Sequence, residues 1–208
     1  MMKVLVLNGS PHPHGCTATA LDEVIKVLNN EGIETEIVQI GSQSVRGCIG
    51  CYKCTAMGKC AFDDIVNEIA PKFEEADGLL IGSPVYYSSP NGTILSFLDR
   101  LFFSTHFSKQ MKVGAVVVSA RRGGNTATFD ALNKYLSICG MAIATSSYWN
   151  MVHGRKAEDV AKDQEGVQTM RNLGKNMAFL IKAIKLGKEQ YGLPQMDSSV
   201  KTSFSDGL

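Results

Sequence analysis

Short apolar runs at Val4 to Leu7, Leu79 to Ile81 and Val113 to Val118 lack polar alternation, the pattern of strands buried on both faces of a parallel sheet. The segment Thr35 to Ile40 mixes Thr35, Glu36 and Gln39 with Ile37, Val38 and Ile40, as a less buried edge strand does. Met141 to Thr145 is a fifth candidate strand. Between these runs the period changes to that of helices. Leu21, Val24, Ile25 and Leu28 share one helical face that stops before Gly32, Ile94, Leu98 and Leu101 form a second, and Met170, Leu173, Met177, Leu180 and Ile184 a long last one ending near Gly187. Strands alternating with helices predict right-handed crossovers and an α/β fold of three layers, α/β/α. An exposed second strand beside buried first, third and fourth strands predicts a flavodoxin-like, five-stranded parallel sheet in the order 2-1-3-4-5.

No repeat or linker divides the chain, so residues 1–190 are expected to form a single domain with an inserted cysteine loop at 47–62, followed by a polar tail at 191–208. The balance of 21 Lys+Arg against 20 Asp+Glu gives a formal charge of +1. That excludes a nucleic-acid-binding stripe and points to small-molecule partners. The opening MMKVLVLNGS is too short an apolar run for a secretory or spanning segment, so the expected location is cytoplasmic, away from membranes. Thiols stay reduced there. Six cysteines, four of them in one short segment, then indicate metal binding or redox chemistry before disulfides.

In an open parallel sheet the ligand lies outside the carboxyl ends of the strands where strand order reverses, here beside strands one and three. After strand one, Asn8-Gly9-Ser10-Pro11-His12-Pro13-His14-Gly15-Cys16-Thr17 leads into a helix, and glycines, hydroxyls and free N–H groups at such a start cradle a phosphate. No G-K-[ST] follows, so a single terminal phosphate fits better than a nucleoside triphosphate. A capped Gly/Pro turn is the plainer alternative. After strand three, Tyr86 and Tyr87 sit between prolines in Gly82-Ser83-Pro84-Val85-Tyr86-Tyr87-Ser88-Ser89-Pro90, where aromatics either pack on a flat ring or cover the sheet edge. After strand four, Ser119-Ala120-Arg121-Arg122-Gly123-Gly124 lets backbone approach a ring closely.

The stretches GSPHPHGCT at 9–17, GSPVYYSSPNGTILSFLDRL at 82–101 and ARRGG at 120–124 together resemble the NAD(P)H-dependent FMN reductase family, in particular its iron–sulfur-flavoprotein-like branch. The resemblance spans roughly residues 3–155. It implies that Ser10 and Thr17 hold the FMN phosphate, with His12 and Gly15 shaping the loop. Cys16, where the family often has Asn, would offer its backbone N–H. By the same resemblance Pro84, Val85, Tyr86 and Tyr87 line the isoalloxazine, Gly123 and Gly124 hold its pyrimidine edge, and Ser83, Ser119 and Arg121 complete the contacts.

Cys48, Cys51, Cys54 and Cys60 follow C-x2-C-x2-C-x5-C, a compact run of soft ligands of the type that wraps a cubane cluster. Structural zinc, redox-active thiols and unligated cysteines are the competing readings. The resemblance implies a [4Fe–4S] cluster exchanging single electrons with FMN.

The implied activity is hydride transfer from NAD(P)H to FMN and onward electron transfer to a quinone, a flavin or another small acceptor, so that the cofactor carries the chemistry and no catalytic triad is needed. Arg121 and Arg122 are candidates for the nucleotide's phosphates, or solvated surface charges. His153 and Trp149 follow strand five; His153 is a candidate donor to a flavin or substrate oxygen, or an ordinary loop histidine, and Trp149 a candidate flavin wall or subunit contact. A homodimer or homotetramer is implied, with Phe102, Phe103 and Phe107 as candidate contacts and a ferredoxin-like donor as a further partner. The alternatives are a non-enzymatic electron carrier, which the sequence pI of about 7.6 does not favour, and a redox- or metal-sensing module.

Overall fold

In a computed structural model describing residues 1–198 and 200, the apolar runs occupy the centre of a parallel sheet. β1 (Lys3–Asn8) pairs in parallel with β2 (Glu34–Gln39) on one side and β3 (Gly78–Tyr86) on the other, and β3 pairs in turn with β5 (Val113–Ala120). Side-chain alternation divides these central strands between two cores. Val4, Val6, Leu80, Ala115 and Val117 face α1 (Cys16–Asn30) and α7 (Gln164–Tyr191). Leu5, Leu7, Leu79, Ile81, Val116 and Val118 face α3 (Ile65–Glu75), α4 (Gly92–Ser104) and α5 (Asn125–Ile138). Both faces being covered explains why the runs show no polar alternation. No helix of the described residues is long and apolar enough to cross a membrane.

The expected three-layer, flavodoxin-like architecture is present, but the five-stranded sheet needs correction. Seven strand segments occur among the described residues, in the order β2-β1-β3-β5-β6, with β4 (Ser89–Pro90) antiparallel on β3 and β7 (Met151–His153) parallel on β5. The single fifth strand expected over Met141 to Thr145 is divided into β6 (Ala142–Ile143) and β7. Between them the chain leaves the sheet because its polar groups find partners on α7: Ser146 Oγ donates to the Thr169 carbonyl at 2.6 Å and Asn176 Nδ2 to the Thr145 carbonyl at 2.7 Å. Asn150 O then accepts from Val118 N at 2.9 Å and restores the register with β5.

β4 arises from a two-residue turn in which Tyr87 (φ 51°) and Ser88 (φ 58°) are both left-handed. That conformation matches the twist of a tight hairpin but is usually met by Asn-Gly. The last helix starts earlier and ends later than the apolar face predicts. Asp163 caps it, accepting from Gly166 N at 2.9 Å, and Gly192 (φ 74°) ends it. Gly187 passes within the helix with open space around it, at a cost of about 1 kcal/mol relative to alanine. The polar tail expected from 191 thus begins one helical residue early, and half of it, residues 199 and 201–208, lies outside the described residues.

Candidate active site

The Gly9 to Gly15 loop is held from below by the ends of its own strands. β1 and β2 finish in register at Asn8 and Gln39, and Asn8 Nδ2 donates to Gln39 Oε1 at 2.8 Å while Asn8 Oδ1 accepts from Ser10 N at 3.0 Å. Gln39 Nε2 returns a bond to the Ser10 carbonyl. Ser10 Oγ then accepts from His12 N at 3.1 Å, and Gly15 N closes the turn on the His12 carbonyl at 3.2 Å. A buried polar pair at the base thereby fixes the loop backbone, a role for Asn8 and Gln39 that the sequence pattern gave no reason to assign.

The loop ends at α1, whose cap residue Gly15 is extended and supplies no side-chain cap. The first-turn N–H groups are therefore free for an external acceptor, and the helix dipole favours an anion there. Thr17 is 1% exposed and its Oγ1 lies 2.8 Å from Ser119 Oγ, tying the start of α1 to the end of β5. Burial pushes the Cys16 thiol up, so it stays protonated at neutral pH and adds no negative charge to the cradle.

A cavity of about 650 Å³ opens above this turn, within the range of small-molecule cofactor sites. Ser10, His12, Gly15, Cys16, Thr17, Pro84, Val85, Tyr86, Ser119 and Arg121 all lie on its wall. The opposite wall comes from a segment that sequence reasoning missed, Gly154 to Glu158, which carries Arg155 and Lys156 and enters the short helix α6 (Ala157–Val160). Gly154 permits that approach, since a Cβ there would sit 3.2 Å from Cys16 Sγ.

Several expected residues, Arg122 among them, stand off the wall. Ser83 is fully buried, and its hydroxyl accepts from Asn91 N at 3.0 Å and donates to the Pro84 carbonyl at 2.9 Å, closing the hairpin. Tyr87 is fully exposed at the hairpin tip. Gly123 is exposed, while Gly124 (φ 92°) supports the hairpin from behind: a Cβ there would meet Ser88 Cα at 2.8 Å. His153 turns to Asp163, 3.3 Å from Nδ1, and to Asn125 Nδ2, 3.2 Å from Nε2. An imidazole accepting from Asn125 at Nε2 and donating to Asp163 at Nδ1 is a β7–α5–α7 tie. Trp149 is half-exposed against Tyr148, also off the wall. Phe102 and Phe107 pack on Phe73 at 5.5 and 5.3 Å between centroids and are half-buried, while Phe103 is exposed.

The cysteine loop lies between β2 and α3. Cys48, Cys51, Cys54 and Cys60 line one small apolar pocket together with Phe62, Arg100 and Phe103. Cys54 starts the single helical turn α2 (Cys54–Met57) and is buried; Cys48 and Cys51 are exposed. Among the described residues no three His, Cys, Asp or Glu side chains converge on one point as a single metal ion requires. Helix α3, which the sequence pattern did not reveal because Pro71 interrupts it, presents Asn67. Asn67 Oδ1 accepts from Cys60 N, and its Nδ2 donates to the Cys60 and Phe62 carbonyls, all at 3.0 Å.

Residues 2–156 match the family described as NADPH-dependent FMN reductase. An iron–sulfur flavoprotein of Methanocaldococcus jannaschii is 35% identical over 192 residues, covering 88% of this chain and 100% of that protein. Among solved structures, RosB with bound 8-demethyl-8-formylriboflavin-5′-phosphate superposes with a TM-score of 0.70 at 17% identity, over 99% of this chain and 94% of that one. An NAD(P)H:quinone oxidoreductase from Methanothermobacter marburgensis gives 0.64 at 16% identity, over 85% and 96%. On the family match and the Methanocaldococcus relative, the chain belongs to the NADPH-dependent FMN reductase family, in its iron–sulfur flavoprotein branch.

Proposed function

We propose that this chain is an FMN-dependent oxidoreductase that takes hydride from NAD(P)H and passes electrons to a quinone, a flavin or another small acceptor, with a [4Fe–4S] cluster at Cys48, Cys51, Cys54 and Cys60. The observation that carries the reading is the uncapped start of α1 opening into a cavity of about 650 Å³ at the carboxyl edge of β1, β3 and β5. The names of the relatives agree with it.

Bound FMN supplies the hydride and single-electron chemistry. The protein's part is placement. The N–H groups at Cys16 and Thr17 and the Ser10 hydroxyl hold the phosphate, and the protonated Cys16 leaves that charge unopposed. Pro84, Val85 and Tyr86 flank the ring, with Ser119 and Arg121 at its edge. Arg121, Arg155 and Lys156 bring positive charge to the same opening, which suits the phosphates of a nicotinamide nucleotide. The compact C-x2-C-x2-C-x5-C run with all four cysteines on one pocket suits a polynuclear cluster better than a single zinc ion, whose sites usually pair two cysteines with a second pair farther along the chain. Exposed Tyr52 and Phe103 beside that pocket suit the expected homo-oligomer.

The test is anaerobic mixing of FMN-loaded protein with NADH or NADPH, followed by initial-rate kinetics with a quinone acceptor. Bleaching of the flavin's visible band and parallel double-reciprocal plots are expected. An unbleached flavin would overturn the oxidoreductase reading in favour of a carrier.

A further inference from the structure

Arg100 is the largest side chain that is fully buried, at 1% exposure, although it lies on α4 among Phe97, Leu98 and Leu101. Each of its five N–H donors meets an acceptor. Asp64 takes two of them, from Nη1 at 2.7 Å and from Nη2 at 2.8 Å, in the bidentate arrangement that only guanidinium offers. The second Nη1 proton reaches the Arg46 carbonyl at 3.3 Å, and the second Nη2 proton the Phe62 carbonyl at 3.4 Å. That leaves Nε, which donates to Cys60 Sγ at 3.2 Å.

The acceptors come from both ends of the cysteine loop, Arg46 before Cys48 and Phe62 and Asp64 after Cys60. Phe62 covers the arrangement, with the Arg46 guanidinium 4.6 Å and the Arg100 guanidinium 5.1 Å from its ring centroid. A solvent-facing arginine would not need this. The charge of Arg100 is already matched by Asp64, so the Nε–H is free to serve the one sulfur it faces.

We infer that Arg100 is a positioning residue for the cluster site: it fixes Cys60 and, through the Nε–H···Sγ bond, raises the site's reduction potential. This rests on the cluster reading given above. One electron added to a cluster of iron and thiolate makes the cysteine sulfurs more negative. A buried donor held on one sulfur therefore stabilises the reduced state more than the oxidised one. No proton is exchanged, because the guanidinium remains charged in both states. Asn67 holds the same cysteine only by its backbone, so it provides a comparison that leaves the sulfur untouched.

The experiment is an anaerobic dithionite titration, followed by electron paramagnetic resonance, of the full-length wild type, R100K and N67A, with iron and sulfide analysis of each. R100K keeps a cation beside Asp64 but loses the Nε–H. The expected result is a shift of about tenfold toward the oxidised site at a fixed applied potential, ~59 mV for one electron, with the FMN couple unchanged. N67A is expected to retain less iron while its loaded fraction titrates as wild type. An R100K protein with wild-type iron and an unshifted potential overturns the role of Arg100, as does an equal shift in N67A. Wild type that binds no iron overturns the cluster reading, and with it this inference. If R100K does not fold, wild type carrying ¹⁵N-guanidinium arginine answers the same question, since the reduced site should show a ¹⁵N hyperfine coupling and its absence contradicts the bond.

Discussion

Gly41 is the position at which one added methyl group should do most harm to cofactor binding. It follows β2, donates its N–H to the Asn8 carbonyl at 3.0 Å, and lies against the phosphate loop. A Cβ there would fall 2.2 Å from Ser10 C and 2.3 Å from the carbonyl oxygens of Gly9 and Ser10, where ordinary contact begins at 3.4 Å. All three atoms are backbone, so no rotamer relieves the clash and the loop must move by about 1 Å. Overpacking of this kind costs about 1–3 kcal/mol, divided between the stability of the apo-protein and the strain of restoring the loop around FMN. If the loop takes all of it, G41A weakens FMN binding by roughly 5- to 140-fold, at tenfold per ~1.4 kcal/mol. Gly123 is the control: it is exposed and off the cavity wall, and a Cβ there meets nothing within 4 Å, so G123A should stay within about 0.5 kcal/mol. Fluorescence quenching of FMN by apo-protein and urea unfolding of the same samples measure both shares. G41A that binds FMN and unfolds like wild type would refute the loop geometry as the source of affinity.

T17V removes the partner of the buried Ser119 hydroxyl and should destabilise the protein by about 1–3 kcal/mol, with the loss largely recovered in T17V/S119A; equal urea midpoints for wild type and T17V would contradict the link. S88G relieves the left-handed strain at Ser88 (φ 58°) and should raise the thermal midpoint, by up to about 1 kcal/mol in stability; an unchanged or lower midpoint would contradict strain at that turn. Hydrogen bonds from Lys3 and Lys72 hold the Glu36 carboxyl below its ordinary value of 4.5. Because the folded pKa is the lower one, these pairs stabilise the protein above pH 4.5 and the contribution disappears as pH falls through the folded value. E36Q should therefore cost about 0.2–1 kcal/mol at neutral pH and nothing in strong acid, as read from urea unfolding across pH; a difference independent of pH would contradict the assignment.

The central strands were legible because burial on both faces leaves a continuous apolar run, as at Val113 to Val118. The site's edge followed from the topology. What escaped depended on contacts distant in sequence. The fifth strand divides because Ser146 and Asn176 make bonds across to and from α7, which no local pattern records. β4 rests on two left-handed residues, Tyr87 and Ser88, without the glycine that normally signals such a turn. Arg100 carried no local signal, because its partners Asp64 and Cys60 lie 36 and 40 residues away and are brought to it only by the fold. Arg155 and Lys156 reach the cavity only because α6 packs against α1. His153, by contrast, lies near the expected site in sequence order, yet its ring is engaged by Asn125 and Asp163.

The most direct test of an FMN oxidoreductase with a cluster at the four cysteines is one sample purified without oxygen, with its ultraviolet–visible spectrum recorded and its flavin, iron and sulfide counted. The account predicts one FMN per chain and about four irons, with broad absorption added beneath the flavin bands. Flavin without iron or sulfide would contradict the cluster, and protein that neither carries FMN nor takes it up on reconstitution would contradict the whole.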